Sequence, residues 1–198
     1  MGAGIAGAAL IGLGFPAHAA QKGLVGAAPW LSPVLLNNAL MALARHHHAI
    51  WSRDVIAIAD FATPSALPRF HLVDILNGRT TSLLLAHGKG SDPDHSGYLQ
   101  SFSNQLGSLA TSEGAYLTGE RYIGIHGPSR RLIGLDDSNN AAEERAIVIH
   151  SAWYVGPEIV VRQGKLGRSD GCFVFSAADI GLVLDRLGRG RLLYAGQG

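Results

Sequence analysis

The segment Gly167-Arg168-Ser169-Asp170-Gly171-Cys172 (GRSDGC) holds the one cysteine of the 198-residue chain. A cysteine that only packs in a core behaves as a small hydrophobe and needs no neighbouring charges, hydroxyl or glycines. Gly171 lets the backbone turn sharply, or leaves space for a substrate to approach. The setting therefore favours a reactive thiol on a loop over a packing residue.

A catalytic cysteine needs a base or a positive group nearby, because a free thiol is mostly protonated at neutral pH. Arg168 lies four residues upstream, and the chain has nine histidines. His150 is the best placed of them, at the end of the apolar run Ala146-Ile147-Val148-Ile149, since a strand end holds a side chain rigidly. We expect His150 to lower the pKa of Cys172. We also expect the amides of Gly171 and Cys172 to face a developing oxyanion.

Composition excludes several classes of protein. The formal net charge is +1 and only 16% of residues are charged, so no basic patch indicates nucleic-acid binding. The 26 glycines favour many turns and short strands over a helical bundle. The length suits one domain with a short extension.

The N-terminal region differs from the rest. Residues 1–19 are nearly all small or apolar, and Ala17-His18-Ala19 fits a cleavage site. This run is too short to span a bilayer comfortably, which takes about 20 residues. It carries no Lys or Arg before the apolar stretch, so either the true start lies upstream or the signal is atypical. A buried N-terminal helix is the alternative. We interpret 1–19 as an export signal, 20–50 as linker and helix, and 51–198 as the main domain.

Periodicity predicts a mainly β domain with an N-terminal helix and one C-terminal helix. Ser32-Pro33 and the leucines that follow predict a helix over 33–48. Asn77-Gly78 predicts a hairpin with a type I′ turn. Ser176-Ala177-Ala178-Asp179 resembles a capping box that opens a helix closed by Gly188. The predicted strands are VIAIADF, RFHLVDIL, RTTSLLLAH, AYLTG, RYIGIHG, RRLIGL, RAIVIHSA, EIVV and RLLYA.

The strings His150-Ser151-Ala152-Trp153 and Ser169-Asp170-Gly171-Cys172, with 18 residues between His150 and Ser169, resemble a known pair of motifs. They resemble the murein L,D-transpeptidases of the YkuD type, whose signature is a His, an intervening stretch and then Ser/Thr-His-Gly-Cys. The chain is most similar to a branch with an Asp-type variant. Matching blocks over residues 53–195 are Ala59-Asp60-Phe61, Ala86-His87-Gly88-Lys89-Gly90-Ser91, Phe102-Ser103-Asn104, Tyr116-Leu117-Thr118-Gly119, Tyr122-Ile123-Gly124-Ile125-His126-Gly127, Arg131-Leu132-Ile133-Gly134-Leu135 and Arg145-Ala146-Ile147-Val148-Ile149-His150.

The resemblance implies the L,D-transpeptidase type of mixed β-sheet fold, with Cys172 as the nucleophile, His150 as its base and Ser151 orienting the imidazole. It implies thioester chemistry on peptidoglycan stem peptides: 3→3 cross-linking, or trimming of tetrapeptide stems when water replaces the amine. Carbapenem-type β-lactams are the inhibitors it implies, and no metal or organic cofactor. An exported protein of a bacterial periplasm or envelope follows from the substrate.

Two departures from the family pattern stand beside the cysteine. Asp170 replaces the usual His, and we expect its carboxylate to face a backbone turn or Arg168. Phe173-Val174-Phe175 is bulkier than the Pro-Ala-Val type of segment, and we expect it to narrow the pocket. Ser169 is an orienting candidate with Gly171.

Several alternatives stay open. His126 is the rival base, and His126, Arg168, Asp170 and His87 are candidates for the substrate cleft. His87, Asp92, Asp94 and His95 resemble a zinc set only weakly, because the spacing is poor and Pro93 intervenes. The rival functions are another cysteine acyl-transfer enzyme, either sortase-like or a cell-wall peptidase, and a peptidoglycan-binding module without activity.

Overall fold

The computed structural model describes residues 31–198. The predicted export signal and the linker up to residue 30 lie outside the described residues. The helices are α1 (Pro33–Arg45), α2 (Pro157–Gln163) and α3 (Ile180–Arg186), with a short 3-10 turn at Lys89–Ser91. The strands are β1 (Val55–Asp60), β2 (Phe70–Asp74), β3 (Arg79–Leu83), β4 (Gly114–Gly124), β5 (Gly127–Gly134), β6 (Val148–Ser151), β7 (Phe173–Phe175) and β8 (Leu192–Gly196).

One eight-stranded mixed sheet organises the described chain, in the order β3-β2-β1-β8-β4-β5-β6-β7. The pairs β1–β8 and β6–β7 are parallel, and the other neighbours are antiparallel. After β3 the chain reaches the opposite edge of the sheet, where the Ala86 amide donates to the Val174 carbonyl at 3.0 Å. This bridge brings the two ends of the sheet together and nearly closes it.

Helix α1 covers one face of the sheet. The Ser32 hydroxyl accepts from the Leu35 amide, as an N-cap does, and Pro33 begins the helix. Leu35, Leu36 and Leu43 are buried among sheet residues that include Ile56, Ile58 and Leu192. The predicted helix is confirmed, although it ends at Arg45 and the following histidines form a turn.

The other face of the sheet holds the larger core. Phe70 meets Phe175 edge-on with ring centroids 4.7 Å apart, and Tyr116 meets Phe173 in the same way at 5.3 Å. Helix α3 closes this core with buried residues such as Leu184. The predicted helix is confirmed, although it begins after Asp179, and the contacts of Ser176 with Asp179 form only part of the predicted capping box. The Ser176 hydroxyl lies 2.7 Å from the Asp179 carboxylate and accepts from the Asp179 amide.

One predicted strand is wrong. EIVV, residues 158–161, lies within α2, which begins at Pro157 after Gly156 and ends at Gly164 in the left-handed conformation. Proline at the first helical position and glycine past the last one are helix signals. A run of three apolar residues after Glu158 fits a helix turn as well as a strand, and only Ile159 of α2 is buried.

Two further predictions need correction in detail. The hairpin between β2 and β3 exists, but only Gly78 has a positive φ (63°), so the turn is not type I′. Asn77 is held instead by the Asp74 carboxylate, which accepts from its amide at 3.0 Å. AYLTG and RYIGIHG were predicted as separate strands, yet they form the single strand β4 with an irregularity between Thr118 and Arg121.

The predicted class, mainly β with a helix before the sheet and another near the end, is confirmed. The sequence missed only α2 among the helices of residues 31–198. None of the helices in that range has the length and apolar character needed to cross a membrane.

Candidate active site

Parallel pairing of β6 with β7 brings Cys172 and His150 to the same face of the sheet. His150 lies opposite Val174 in the register, and Cys172 precedes Val174 by two residues. Because alternate residues of an extended chain face the same side, Cys172, Val174 and His150 share a face. Cys172 packs with Val174 outside the main core, which supports this placement.

The turn before β7 is built around the Ser169 hydroxyl. Ser169 Oγ donates to the Cys172 carbonyl at 2.8 Å and accepts from the Gly171 amide at 3.2 Å. Gly171 has φ 117°, which strongly favours glycine, and a Cβ there would lie 2.7 Å from the Ile147 side chain. The Gly171 amide is therefore occupied by Ser169, and it reaches an oxyanion only if that hydrogen bond breaks.

The tautomer of His150 follows from its one acceptor partner. Its Nδ1 lies 3.0 Å from the Ser151 carbonyl oxygen, which can only accept. Nδ1 therefore carries the proton and Nε2 offers a lone pair, which is the form a general base requires. Burial lowers the pKa of His150, and the nearby His126 lowers it further, against the opposing effect of the Ser151 carbonyl.

His126 lies in the turn between β4 and β5 and stacks on His150. The ring centroids are 4.1 Å apart and the rings are within 16° of parallel. His126 is exposed, whereas His150 is only 3% exposed. His126, the alternative candidate for the base, therefore covers the His150 ring on its solvent side.

The surroundings of Cys172 raise its pKa, which contradicts the prediction that the pKa would be lowered. Burial raises the pKa of Cys172, and Asp170 adds to this, whereas the Val148 amide and Arg145 oppose it. The thiol donates weakly to the Ala146 carbonyl, with sulfur and oxygen 3.6 Å apart. The pKa of His150 is also lowered, so the surroundings favour the neutral thiol and the neutral imidazole.

The contacts of Asp170 and of Phe173-Val174-Phe175, the two departures from the family motif, differ from those predicted. The Asp170 carboxylate forms an exposed ion pair with Lys89 Nζ at 3.0 Å, and the predicted partner Arg168 binds the Asp92 and Pro93 carbonyls instead. Phe173 and Phe175 are completely buried in the main core. They therefore do not narrow the cleft as predicted.

Comparison with known proteins identifies the family. The sequence model described as the L,D-transpeptidase catalytic domain matches residues 27–195. The chain belongs to the L,D-transpeptidase catalytic domain family. No curated protein sequence matches the chain.

Solved L,D-transpeptidases resemble this chain at low identity. An enzyme from Mycobacterium smegmatis shares 15% identity with TM-score 0.43, covering 72% of this chain and 58% of its own. One from Mycobacterium tuberculosis H37Rv shares 14% with TM-score 0.46, covering 73% and 58%. L,D-transpeptidase 3 from Mycobacterium tuberculosis in complex with a faropenem-derived adduct shares 14% with TM-score 0.40, covering 73% and 60%. The alignments thus cover less than two thirds of each solved chain.

His87 was predicted as a candidate for the substrate cleft, but it is buried in the interior of the L,D-transpeptidase domain. It is 1% exposed, with Nδ1 against the Arg69 guanidinium and Nε2 3.2 Å from Asp92 Oδ2. Burial and the charge of Arg69 lower its pKa to about 4, against the opposing effect of Asp92. The Asp92 carboxylate also accepts from the amides of Ser96 and Gly97. Across residues 31–198, no group of three His, Cys, Asp or Glu is arranged to hold a metal ion.

Sequence reasoning missed Arg145 beside the sulfur, and it left open whether Tyr154 packs in the core or flanks the cleft. The Arg145 guanidinium lowers the pKa of Cys172, and the Tyr154 ring packs in the same cluster as Cys172. Burial, with Cys172 and Asp170, raises the pKa of Tyr154 to about 12. Both lie within eight residues of His150 in the sequence, which is the signal that could have drawn attention to them.

Proposed function

We propose that this L,D-transpeptidase domain acts on peptidoglycan stem peptides through a thioester on Cys172, with His150 as the general base. The observation that carries the proposal is the shared face of Cys172 and His150, with Nδ1 of the imidazole engaged by the Ser151 carbonyl. That hydrogen bond leaves Nε2 free to accept a proton. Membership of the family supports peptidoglycan as the substrate.

In the acylation step, Cys172 sulfur attacks the carbonyl carbon of the third residue of a tetrapeptide stem and its proton passes to His150 Nε2. The bond to the terminal D-Ala breaks, and the departing amine takes the proton from His150. A thioester remains on Cys172. The site thus begins and ends this step with neutral partners, as the two pKa directions require.

In the second step, an amine of another stem attacks the thioester and the Cys172 thiolate leaves. The proton lost by the amine returns to the sulfur through His150. The product is a 3→3 cross-link when the amine is the diaminopimelate side chain, and a trimmed tripeptide stem when water takes its place. Both products require the substrate to be met outside the cytoplasm, so the proposal includes export of the protein.

The direct test is incubation of the purified protein with disaccharide tetrapeptides, followed by mass spectrometry. We expect D-Ala release with a 3→3 dimer or a tripeptide product, and neither from Cys172→Ala. His150→Ala should lose most of the acylation rate, since a general base contributes about 10²–10⁴-fold. Wild-type protein that gives no product, or Cys172→Ala that gives as much, would contradict the proposal.

A second measurement reads the nucleophile without the natural substrate. A faropenem-derived adduct is present on one solved L,D-transpeptidase. We expect faropenem or a carbapenem to add covalently to this protein, and peptide mapping to place the adduct on Cys172. An adduct that persists in Cys172→Ala would show that another residue reacts.

A further inference from the structure

Arg145 lies in the turn before β6 and is held by a loop distant in sequence. Its Nη1 donates to the Ser103 carbonyl at 2.7 Å and to Ser112 Oγ at 2.6 Å. Its Nη2 donates to Ser108 Oγ at 3.1 Å and to the Ala110 carbonyl. All four acceptors are neutral. Within residues 31–198, no carboxylate forms an ion pair with this guanidinium.

The same guanidinium lies against the nucleophile loop. A Cβ placed on Gly171 would be 3.3 Å from Arg145 Nη2. The residue after Arg145 also contacts the nucleophile, because the Ala146 carbonyl accepts from the Cys172 thiol. Ala146 has φ 53°, a left-handed conformation that is strained for a residue with a side chain. The turn therefore has a strained conformation, which places the Arg145 guanidinium and the Ala146 carbonyl beside the loop of Cys172.

The other ionisable groups around the sulfur do not supply a positive charge. Asp170, on the loop of Cys172 itself, is negative and takes the charge of Lys89 in an ion pair. Tyr116 on β4 and Tyr154 after β6 stay neutral, because burial raises the pKa of each phenol. His150 on β6 rests neutral because its pKa is lowered. Among the described residues whose charge acts on the thiol, Arg145 is the cation.

We propose that Arg145 is a positioning residue for the nucleophile: the loop 103–112 holds its guanidinium against Gly171, where its charge stabilises the Cys172 thiolate. The thiolate forms transiently twice, when the thiol attacks and when the thioester is resolved. An opposite charge within about 4–6 Å favours the ionised form of a group. Arg145 offsets part of the cost that burial and Asp170 impose on that ionisation. This inference rests on Cys172 being the nucleophile.

The test is the pH dependence of Cys172 alkylation by iodoacetamide, followed by mass spectrometry on the full chain. Only the thiolate reacts, so the rate reports its population. We expect Arg145→Gln to move the midpoint to higher pH by up to about one unit, and to slow alkylation by up to about tenfold at pH 8. Arg145→Lys keeps the charge with fewer hydrogen bonds, and its midpoint should stay much closer to that of the wild type.

The matched control is Arg121→Gln, which removes an arginine from an exposed ion pair with Asp185. Its midpoint should equal that of the wild type. A folded Arg145→Gln with the wild-type profile would overturn the proposal. So would an Arg145→Lys displaced as far as Arg145→Gln, because the hydrogen bonds and not the charge would then be responsible.

Arg145→Gln is also checked for folding by circular dichroism and thermal unfolding. If it does not fold, the double variant Ser108→Ala/Ser112→Ala takes its place, since it frees the guanidinium from two of its acceptors and keeps the charge in the chain. A midpoint moved to higher pH supports the proposal, and an unmoved one overturns it. Alkylation needs no murein substrate, so this experiment and the test of the proposed function fail independently.

Discussion

The protonation of His150 is governed by three features, which are its hydrogen bond to Ser151, its burial and the neighbouring His126. The Ser151 carbonyl fixes the proton on Nδ1, and burial with His126 disfavours a second proton on Nε2. A papain-like ion pair would need the opposite directions, with a lowered thiol pKa and a raised imidazole pKa. The directions found here agree better with the proposed role of His150 as a neutral general base than with a preformed thiolate.

A pH profile checks this assignment. The rate of acylation by faropenem should rise with pH through a midpoint below 6.5, because His150 must be deprotonated and its pKa is lowered. His126→Ala should move that midpoint upward, since it removes a neighbouring charge and admits water to the ring. Rates are measured from pH 4.5 to 8, with adduct formation followed by mass. A midpoint above 6.5 in the wild type would indicate a stabilised imidazolium and contradict the assignment.

The candidate catalytic residues could be predicted because their signals come from residues close in sequence. Cys172 and His150 stand out because glycine, a charge and a strand end surround them within a few residues. Lys89 pairs with Asp170 across 81 positions of the chain, and Arg145 reaches acceptors 33 to 42 positions away. No spacing rule predicts such partners, because they meet only when the sheet has folded.

Among the elements, the segment from Ala86 to Ser91 supports the loop that carries Cys172. It bridges β7 at Ala86 and pairs with Ser169 at Gly88. A Cβ on Gly88 would lie 2.3 Å from the Leu109 carbonyl oxygen and 2.8 Å from the Gly171 Cα. Both are backbone atoms, so neither can move aside by a rotamer change. Glycine at this position lets three segments meet behind Cys172.

Gly88→Ala should therefore lose stability and activity together. We expect a loss of about 1–3 kcal/mol or more in the free energy of unfolding, as overpacking typically costs, and slower acylation of Cys172. The matched control is Gly181→Ala in α3, where a Cβ meets nothing within 4 Å. That change should be neutral or stabilise by up to about 1 kcal/mol. Urea unfolding of both variants checks this, and a Gly88→Ala midpoint equal to that of the wild type would contradict it.

Most elements followed from periodicity and caps, and the failures have physical causes. Ser32-Pro33 predicted the start of α1, and Ser176 predicted the start of α3, because helix capping depends on residues close in sequence. In α2 the flanking Pro157 and Gly164 outweighed the strand-like letters between them. The bulge that keeps β4 continuous depends on pairing with β5, which the sequence of β4 alone does not encode.

At the scale of the whole molecule, the sheet is built around buried polar groups as well as apolar ones. Arg69 is fully buried, and its guanidinium donates to the Leu85 and Thr63 carbonyls and contacts His87. Burial lowers the pKa of Arg69 to about 9, with Asp60 and Asp92 opposing the change. Such networks stabilise a fold only while every member keeps its partner and its protonation state.

Three buried histidines should make the whole fold acid-sensitive in one pH window. Burial lowers the pKa of His71, His87 and His150, that of His87 to about 4. Between pH 4 and about pH 6.5, these histidines bind protons in the unfolded chain but stay neutral in the folded chain. The free energy of unfolding therefore falls as the pH falls. For His87 alone, the loss from pH 7 to pH 4 is about 3 kcal/mol.

Urea unfolding at pH 7, 6, 5 and 4 measures this dependence, and His87→Gln is the variant that isolates the largest contribution. Glutamine retains hydrogen-bonding groups toward Arg69 and Asp92 but does not titrate. Its stability at pH 7 reports the packing change, whereas its slope with pH reports only the remaining histidines. We expect a clearly shallower slope than that of the wild type. Equal slopes in the two proteins would mean that His87 is protonated at similar pH in the folded and unfolded chains, which would contradict its placement between Arg69 and Asp92 in the interior.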